Sequence, residues 1–376
     1  MREKPQKILF VFGTRPEAIK VAPLIKEFQK NPEKFDVCVV STGQHKEMLD
    51  QVINFFNINI NYDLGLMTKN QSLNQLSSKI LISLKSILDK ENPSYIFVHG
   101  DTTTTAFASI AAFYNQIKIC HIEAGLRTFN KYSPFPEEIN RTITGKLADI
   151  HFAPTNKAKH NLISEGINKN SIIVTGNTVI DALLEGVKLS KSAKDQQIES
   201  LKKITKKNKK IILVTGHRRE NFGEGFKNIC DALIKISENK SVQIIYPVHL
   251  NPNVKNIVHE MLGHISNIHL IEPLNYPAFT WLMNKSYIIL TDSGGVQEEA
   301  PSLGVPVLVM RNNTERPEGV EAKTAILVGT DIEKIVNNVN RLISEKVHYE
   351  KISLNKNPYG DGNASKKIVN YMIKNV

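Results

Sequence analysis

The chain alternates short apolar runs with amphipathic helical patterns, and it does so in two successive series. The runs of the first series end in glycine or polar turns and lie at residues 7–13, 35–43, 94–101, 117–125, 149–155 and 171–177. Those of the second series lie at residues 210–217, 242–249, 268–274, 287–295 and 305–310. Near-continuous apolar strands between amphipathic helices indicate a parallel sheet that is covered on both faces. Over 376 residues, the pattern predicts an α/β protein with two Rossmann-like halves and a linker near residues 180–210.

Ionisable side chains follow several of the predicted strands. They are Asp101, Glu123, His217, His249 and Asp292. In open parallel sheets, ligands bind beyond the carboxyl ends of the strands. A cleft between two facing domains would gather most of these side chains.

Composition excludes several classes of protein. The hydrophobic fraction of 41% is sufficient for two cores, but no apolar run reaches the roughly 18 residues that a membrane span requires. The first residues pass from a charged tip directly into a strand, without the apolar region of a signal peptide, so we expect a cytoplasmic protein. The cysteines Cys38, Cys120 and Cys230 are scattered in apolar surroundings. That pattern is typical of buried thiols and not of disulfides or a zinc site.

The chain is basic, with a net charge of +11. Much of the excess lies in residues 188–210, which contain no aromatic side chain for base stacking and no known nucleic-acid module. We interpret this stretch as a solvated linker or a surface helix, and we predict no nucleic-acid partner. Basic charge would also attract a ligand that carries a diphosphate.

Sequence motifs for common cofactors are lacking. Residues 223–228 (GEGFKN) lack the third glycine of a nicotinamide fingerprint, and no Walker-type sequence occurs. The histidines His259 and His264 do not have the i, i+4 spacing of a zinc-protease helix. We therefore predict no NAD and no metal.

Segment 288–304 passes from an apolar strand through Ser293, Gly294 and Gly295 into a predicted helix. Backbone N–H groups at a helix start lack partners within the helix, and glycine lets an anion reach them. The turn is therefore a candidate phosphate cradle, and Glu298 or Glu299 one helical turn later could accept ribose hydroxyls. A plain strand-to-helix connection is the alternative interpretation.

Cations lie near two other strand ends. Arg15 and Lys20 stand near a predicted helix start in GTRPEAIK (13–20), where they oppose the helix dipole. An anionic ligand explains them better than a solvated surface does. His217 lies with two arginines in GHRREN (216–221), a cluster that suits a diphosphate.

Four carboxylates have competing interpretations. Asp101 stands where we expect a helix N-cap, which is an ordinary structural role. Glu123 ends an apolar strand, where a carboxylate is costly unless it is paired or used in chemistry. Glu137 and Glu138 lie in a predicted first helical turn, where interaction with the dipole would explain at least one of them.

Nine longer motifs occur in order along the chain, namely GTRPEAIK, VHGDTTTT, EAGLRT, YSPFPEEINR, GNTVIDALL, TGHRREN, YPVHLNP, TDSGGVQEEAPSLG and TERPEGVEA. This set resembles the non-hydrolysing UDP-N-acetylglucosamine 2-epimerase family, from residue 8 to the NPYGDG segment at 357–362. The resemblance implies two Rossmann-like domains facing across a cleft, the glycosyltransferase-B type. The first domain would be residues 1–180, with the C-terminal helix 363–376 packed back on it, and the second would be residues 181–362.

The resemblance also implies an isomerase that interconverts UDP-N-acetylglucosamine and UDP-N-acetylmannosamine. The reaction would eliminate UDP to give 2-acetamidoglucal and add it back, without a cofactor. A homodimer that supplies sugars for bacterial surface polysaccharides is expected. The positions that match the family's catalytic residues are Asp101, Glu123, Glu137 and His217. Those that match its substrate contacts are Arg15, Lys20, Leu274, Phe279, Ser293, Gly294, Gly295, Glu299 and Arg316.

Some members of the family bind a second UDP-N-acetylglucosamine as an activator. Gln44 and His45 match positions implicated there and are candidate allosteric residues. Glu47 and Asn70 depart from the Gln and Arg of members in which that site is best defined, which argues against activation here.

Two other functions compete with epimerisation. A glycosyltransferase of the same fold would pass the sugar of a UDP-sugar donor to an acceptor. A nucleotide-sugar sensor would bind the ligand without chemistry. The carboxylates of the first domain favour the epimerase over both, because buried carboxylates are costly without a use.

Overall fold

Each half of the chain builds its own parallel sheet. In this computed structural model the described residues are 4–43, 46–68, 70–206 and 208–375, and the side chains of residues 46–48 are not described. One unit comprises Met1–Ala182 with Gly360–Val376, and the other comprises Leu183–Tyr359. These limits differ by two and three residues from those expected from the sequence.

The strands of the first unit are β1 (Gln6–Phe12), β2 (Phe35–Ser41), β3 (Tyr62–Asp63), β4 (Tyr95–His99), β5 (Lys118–Ile122), β6 (Ile150–Ala153) and β7 (Ile172–Val174). They form one seven-stranded sheet in the order β3-β2-β1-β4-β5-β6-β7, and neighbouring strands pair in parallel. The helices that follow them in sequence are α1 (Arg15–Gln29), α2 (Lys46–Phe56), α3 (Leu73–Glu91), α4 (Thr103–Tyr114), α5 (Glu137–Leu147), α6 (Asn156–Ser164) and α7 (Thr178–Ser190).

Aromatic packing fixes α1 on the centre of this sheet. The rings of Phe10 in β1 and Phe97 in β4 stack with centroids 5.0 Å apart. The Phe28 ring of α1 meets both edge-on, at 5.8 Å and 5.2 Å. Aromatic pairs of this kind contribute about 0.5–1.5 kcal/mol each beyond their area burial. The packing therefore holds the C-terminal end of α1 against the middle of β1 and β4.

The strands of the second unit are β8 (Lys210–Thr215), β9 (Val242–Pro247), β10 (Ile268–Ile271), β11 (Ile288–Thr291), β12 (Val307–Val309) and β13 (Ala325–Leu327). They form a six-stranded parallel sheet in the order β10-β9-β8-β11-β12-β13. Its helices are α8 (Gln196–Ile204), α9 (Glu224–Ser237), α10 (Pro252–Leu262), α11 (Tyr276–Lys285), α12 (Gly294–Glu299), α13 (Pro317–Glu321), α14 (Ile332–Ser344) and α15 (Lys346–Ser353). The C-terminal helix α16 (Ala364–Asn375) belongs to the first unit and packs on α1.

Strand β8 has a continuous apolar run because both of its faces are buried. Ile212 and Val214 pack into one hydrophobic cluster, whereas Ile211 and Leu213 pack into another. Because successive side chains of a strand point to opposite faces, the sheet is covered on both sides, as the continuous apolar pattern predicts.

The lysine-rich region, which we interpreted as a solvated linker or a surface helix, contains a helix. Residues 180–210 include the end of α7 and the whole of α8. Two apolar residues of α8, Ile198 and Leu201, are buried in the core of the second unit. The many lysines of this region are compatible with a helix that buries one narrow apolar face.

Both sheets reverse their strand order at the centre. In the first unit the reversal lies between β1 and β4, and in the second it lies between β8 and β11. Ligands of open parallel sheets bind at such switch points, beyond the carboxyl ends of the strands. Among the described residues, no helix is both long and apolar enough to cross a membrane.

Candidate functional site

Glu123 is the most constrained carboxylate at the switch-point edge of the first sheet. It follows β5 directly, its side chain is 6% exposed, and its backbone φ is +59°. That left-handed conformation costs a residue other than glycine about 1–3 kcal/mol, and such residues concentrate at functional sites. Lys20 Nζ and Asn177 Nδ2 both donate to Glu123 Oε1, at 2.5 Å and 2.9 Å.

Several neighbouring groups together set the protonation of Glu123. Burial acts to raise the pKa of Glu123. The electrostatic interactions with Lys20, His99 and Arg141 and the hydrogen bond from Lys20 together outweigh burial and hold that pKa well below its ordinary value. Glu123 is therefore ionised in the neutral range. His99 Nε2 lies 3.9 Å from Glu123 Oε2, and burial lowers the pKa of His99 to about 3, so its ring is neutral. The cation that we interpreted as a ligand contact thus has a carboxylate partner within the protein.

Asp101 lies at the end of β4, but it does not cap α4. The N-cap is Thr102, whose side-chain oxygen accepts the amide N–H of Thr105 at 3.1 Å. The expectation that Asp101 is the N-cap is therefore wrong, because the next residue also has a capping side chain. Helix α5 holds Asp101 instead. Arg141 Nη2 donates to its carboxylate, and Asn140 Nδ2 donates to its carbonyl oxygen at 3.0 Å.

Glu17 organises the loops on both sides of this switch point. It is 2% exposed, and its Oε2 accepts the amide N–H groups of Gly13 and Thr14 at 3.1 Å and 2.8 Å. Its Oε1 accepts the hydroxyls of Thr102 and Thr105 at 2.8 Å and 3.1 Å. Burial raises the pKa of Glu17. We had not singled out this residue, although the Thr-x-x-Glu spacing of a capping box marks it.

Glu137 and Glu138 are adjacent but have different surroundings. Glu138 is 3% exposed, accepts the amide N–H groups of Thr128 and Phe129 at 3.1 Å and 2.9 Å, and forms an ion pair with Arg127, whose Nη2 lies 3.1 Å from Glu138 Oε1. Glu137 is half-buried, and its Oε2 has no hydrogen-bond partner among the described residues. Glu138 is therefore a structural residue, whereas Glu137 presents a carboxylate oxygen that no described group satisfies.

The Ser-Gly-Gly turn begins α12 at the switch point of the second sheet. The Ser293 amide N–H donates to Thr291 Oγ1 at 3.0 Å, so this amide has a partner within the protein. The amide N–H groups of Gly294 and Gly295 open the helix, where the helix itself offers them no acceptor. The candidate phosphate cradle therefore consists of the Gly294 and Gly295 amides, without that of Ser293.

The two glycines of this turn are not required by the fold. Neither Gly294 nor Gly295 has a left-handed backbone. A Cβ added at Gly294 would lie 3.9 Å from Arg316, and one at Gly295 would lie 3.8 Å from Glu299. These are ordinary van der Waals contacts. A ligand that approaches the main chain closely explains both glycines, since it would need the space that a Cβ fills.

Arg316 and the two glutamates of α12 surround this turn. Arg316 Nε donates to Glu298 Oε1, and the carbonyl oxygen of Glu298 accepts Asn357 Nδ2 at 2.7 Å. Glu298 therefore anchors Arg316 and the 357 segment. Glu299 is 8% exposed and is the carboxylate that the resemblance assigns to a ribose.

His217 lies across the second switch point from the turn. Its side chain is 45% exposed, and its ring stacks on that of His249 with centroids 5.4 Å apart. Its Nδ1 lies 3.5 Å from Asp292 Oδ1, and Asp292 is fully buried. Burial lowers the pKa of His217, and His249 and Arg218 act in the same direction, while Asp292 acts in the opposite direction.

The remaining predicted contacts lie on other loops and helices of the two units. Leu274 and Phe279 pack partly buried on the core of the second unit. The loop before α11 is held by α8, because Gln197 Oε1 accepts the amide N–H of Asn275 at 2.7 Å. Arg15 is the half-buried first residue of α1.

Two predicted allosteric residues, Gln44 and His45, lie outside the described residues. Within the part of the chain that the structure describes, no group of His, Cys, Asp and Glu side chains could hold a metal ion.

Comparisons with known proteins assign the family. The family model of UDP-N-acetylglucosamine 2-epimerase matches residues 26–373. A UDP-N-acetylglucosamine 2-epimerase of Campylobacter jejuni is 55% identical over 376 residues, which covers 98% of this chain and 98% of its own. The enzyme of the same name from Salmonella borreze is 55% identical over 371 residues, again with 98% of both chains covered.

The chain belongs to the UDP-N-acetylglucosamine 2-epimerase family. A crystal structure of the Neisseria meningitidis enzyme bound to UDP-GlcNAc is similar to it, with a TM-score of 0.87 and 50% identity over 98% of this chain and 100% of that one. Membership confirms the expected family, the isomerase class and the glycosyltransferase-B type of fold with two parallel-sheet units. It also favours epimerisation over sugar transfer, which the fold alone does not distinguish.

Proposed function

We propose that this family member interconverts UDP-N-acetylglucosamine and UDP-N-acetylmannosamine by eliminating UDP and adding it back. The buried, ionised Glu123 and its Lys20 partner carry the proposal. Removing two charges from water is energetically costly. A buried ion pair is therefore expected where its own interactions offset that cost or where the charges take part in chemistry. Proton transfer at a sugar carbon is the chemistry that the family suggests.

Elimination solves a problem of acidity. The hydrogen on carbon 2 of the sugar is not adjacent to a carbonyl group, so direct removal would face a prohibitive barrier. When the bond between carbon 1 and the UDP oxygen breaks, UDP takes the electron pair and positive charge develops at carbon 1. A carboxylate then removes the proton from carbon 2, and the remaining electron pair forms the double bond of 2-acetamidoglucal.

The return step inverts carbon 2. A protonated acid delivers a proton to carbon 2 from the opposite face, and the β-phosphate oxygen of UDP bonds again to carbon 1. Both faces of the sugar therefore need an acid–base group. Asp101, Glu123 and Glu137 share this work, and all three lie on the first unit near the ends of β4 and β5 or at the start of α5.

The second unit holds UDP throughout the reaction. The Gly294 and Gly295 amides and His217 contact the diphosphate, with Arg316 of the same unit and Arg15 of the first unit as further cations. Glu299 accepts the ribose hydroxyls, and Leu274 and Phe279 lie against the uracil. Such preorganised donors stabilise the negative charge that develops on the departing UDP.

The proposed reaction uses neither a metal ion nor a nicotinamide. Turnover should therefore continue after treatment with a chelator and without added cofactor. The product would supply N-acetylmannosamine-type sugars for bacterial surface polysaccharides, and the chain would act as a homodimer, which light scattering of the purified protein can test.

One experiment tests the proposed reaction. The purified protein is incubated with UDP-N-acetylglucosamine in heavy water without an acceptor, and the sugar is followed by NMR. We expect the manno epimer with deuterium at carbon 2. A sugar that stays unlabelled at carbon 2 contradicts the proposal and favours the glycosyltransferase or the sensor.

A further inference from the structure

Asp292 is a fully buried carboxylate with one satisfied and one unsatisfied oxygen. Its Oδ2 accepts the amide N–H groups of His217 and Arg218, both at 2.8 Å. Its Oδ1 has no hydrogen-bond partner among the described residues. A buried carboxylate oxygen without a donor is expensive, so a donor near Oδ1 would be strongly favoured.

The ring of His217 supplies the nearest basic nitrogen. Its Nδ1 lies 3.5 Å from Asp292 Oδ1, longer than a good hydrogen bond. Contacts of catalytic groups are often long without substrate and shorten when it binds. The two backbone bonds to Oδ2 fix the chain at His217, so a small rotation of the ring closes the gap.

An N–H on Nδ1 has a consequence for the other ring nitrogen. If Nδ1 carries the hydrogen, the neutral ring has its lone pair on Nε2, and a protonated ring has a charged N–H there. The buried carboxylate favours the protonated ring. Burial of the ring, the stacked His249 and Arg218 oppose protonation, and together they lower the pKa of His217 in spite of Asp292. A diphosphate near Nε2 would, like Asp292, stabilise the positive charge of the protonated ring.

We propose that Asp292 is a positioning residue, which holds His217 with Nδ1–H toward the buried carboxylate and presents Nε2 as a charged donor to the diphosphate. The inference rests on the proposed function, in which His217 holds departing UDP. Asp292 itself does not touch the substrate. It acts through the orientation, tautomer and charge of His217.

The decisive variant is Asp292→Asn. The asparagine oxygen can still accept the two backbone N–H groups, but its NH₂ group faces Nδ1 and donates to it. The hydrogen of the neutral ring then moves to Nε2, and the protonated ring loses its counter-charge. In a serine-protease triad the corresponding change lowers kcat by about 10⁴-fold through the wrong tautomer.

Nitrogen-15 NMR of histidine-labelled protein reads the tautomer directly, with His217→Gln used to assign the signal. We expect Nδ1–H in the wild-type neutral ring and Nε2–H in Asp292→Asn. The reverse tautomer in the wild type, or no change in the variant, overturns the inference. This readout needs no turnover, so it stands apart from failure of the proposed function, which an inactive wild type would reveal.

Kinetics test whether Asp292 acts through His217. We expect Asp292→Asn to lower kcat by about 10- to 1,000-fold and to move the alkaline limb of the kcat profile to lower pH by about one unit or more. In a His217→Gln background, Asp292→Asn should cause no further loss. An equal loss in both backgrounds would mean that Asp292 acts independently of His217, and the inference would be wrong.

Asp181 provides a matched control for a buried aspartate that accepts two backbone amides. It is 7% exposed and accepts the amide N–H groups of Ala364 and Ser365 at 3.2 Å and 2.8 Å. Asp181→Asn should keep the pH profile and the tautomer of His217. UDP titration should show weaker binding to Asp292→Asn and to His217→Gln by similar factors, because both variants lose the charged Nε2 donor to the diphosphate, whereas Asp181→Asn should bind UDP as the wild type does. A matching change of profile in both variants would indicate a merely structural effect and overturn the inference.

Discussion

The two units share one strand order over six strands, but different residues follow the central strands of each sheet. Each sheet reverses its order at the centre, between β1 and β4 in one unit and between β8 and β11 in the other. Beyond β4 and β5 the first unit carries Asp101 and Glu123. Beyond β8 and β11 the second carries His217 and a Gly-Gly helix start. The topology sets where a ligand binds, and the loop residues determine what happens to it.

Glu123 of the first unit and Asp292 of the second are buried carboxylates with different partners. Glu123 accepts from the side chains of Lys20 and Asn177, and nearby positive charge, Lys20 foremost, keeps it ionised. Asp292 is held by two backbone amides and faces an imidazole. Side-chain partners can exchange protons or reorganise when substrate binds, whereas backbone amides cannot lose a proton. The arrangement at Glu123 suits acid–base chemistry. The arrangement at Asp292 suits a rigid site in which His217 binds the diphosphate of a ligand.

Loss of the Glu123 carboxylate should have the largest effect. Glu123→Gln keeps the shape of the side chain but removes the base and the ion pair, so we expect kcat to fall by about 10³-fold. The epimerisation rate measured by NMR checks this. If turnover stays within tenfold of the wild-type rate, Glu123 is not the catalytic base, and another carboxylate must remove the proton.

The pair Glu137 and Glu138 separates chemistry from stability within one helical turn. Glu137→Gln should lower kcat by about 10²-fold with an unchanged melting temperature, because its Oε2 has no described partner. Glu138→Gln should lower the free energy of unfolding by about 1–3 kcal/mol, since a neutral amide replaces a carboxylate that accepts from the Thr128 and Phe129 amides and pairs with the charge of Arg127. If kcat falls more in Glu138→Gln than in Glu137→Gln, the assignment of the two residues is reversed.

The phosphate turn should respond in binding and not in stability. Gly295→Ala places a methyl group where the fold has room but a phosphate would approach, so we expect UDP to bind about tenfold more weakly with an unchanged melting temperature. Gly145→Ala is the matched control, because a Cβ there meets nothing closer than 3.9 Å. It should leave UDP affinity unchanged. Equal UDP affinities in the two variants would exclude close contact at Gly295.

The smallest effect concerns the ion pair at the opposite edge of the first sheet. Lys7 Nζ donates to Glu91 Oε2 at 2.7 Å, and Tyr62 donates to Oε1. These hydrogen bonds lower the pKa of Glu91. A lowered pKa contributes stability above the unfolded pKa of about 4.3, and this is lost as the pH falls through the folded pKa.

Glu91→Gln should therefore reduce the free energy of unfolding by about 1 kcal/mol at neutral pH, and the difference should vanish in acid. Its kcat should match that of the wild type, in contrast to Glu123→Gln. A large loss of activity in Glu91→Gln would mean that breaking an ion pair far from the site also lowers turnover, so that the effect of Glu123→Gln would not indicate a catalytic role.

Much of the fold could be predicted from the sequence, because the buried strands are continuous apolar runs. The edge strands β3 and β13, of two and three residues, were not predicted. The sequence did not distinguish helix α8 from a linker, because only two of its residues are buried and many of the residues around them are lysines. Adjacent capping side chains led to the error at Asp101.

The site residues could be assigned mostly by resemblance, and their partners could not. Nothing in the local sequence indicates that Lys20 reaches Glu123 or that Arg141 reaches Asp101, since these pairs are separated by 103 and 40 positions. Likewise, only tertiary structure distinguishes Glu137 from Glu138, because the helix dipole favours both equally.

UDP affinity of the inactive Glu123→Gln variant tests the division of work between the two units most directly. If the second unit holds UDP and the first moves protons, calorimetric titration should give a dissociation constant within about threefold of the wild-type value. A loss of UDP binding that parallels the loss of epimerisation would contradict that division.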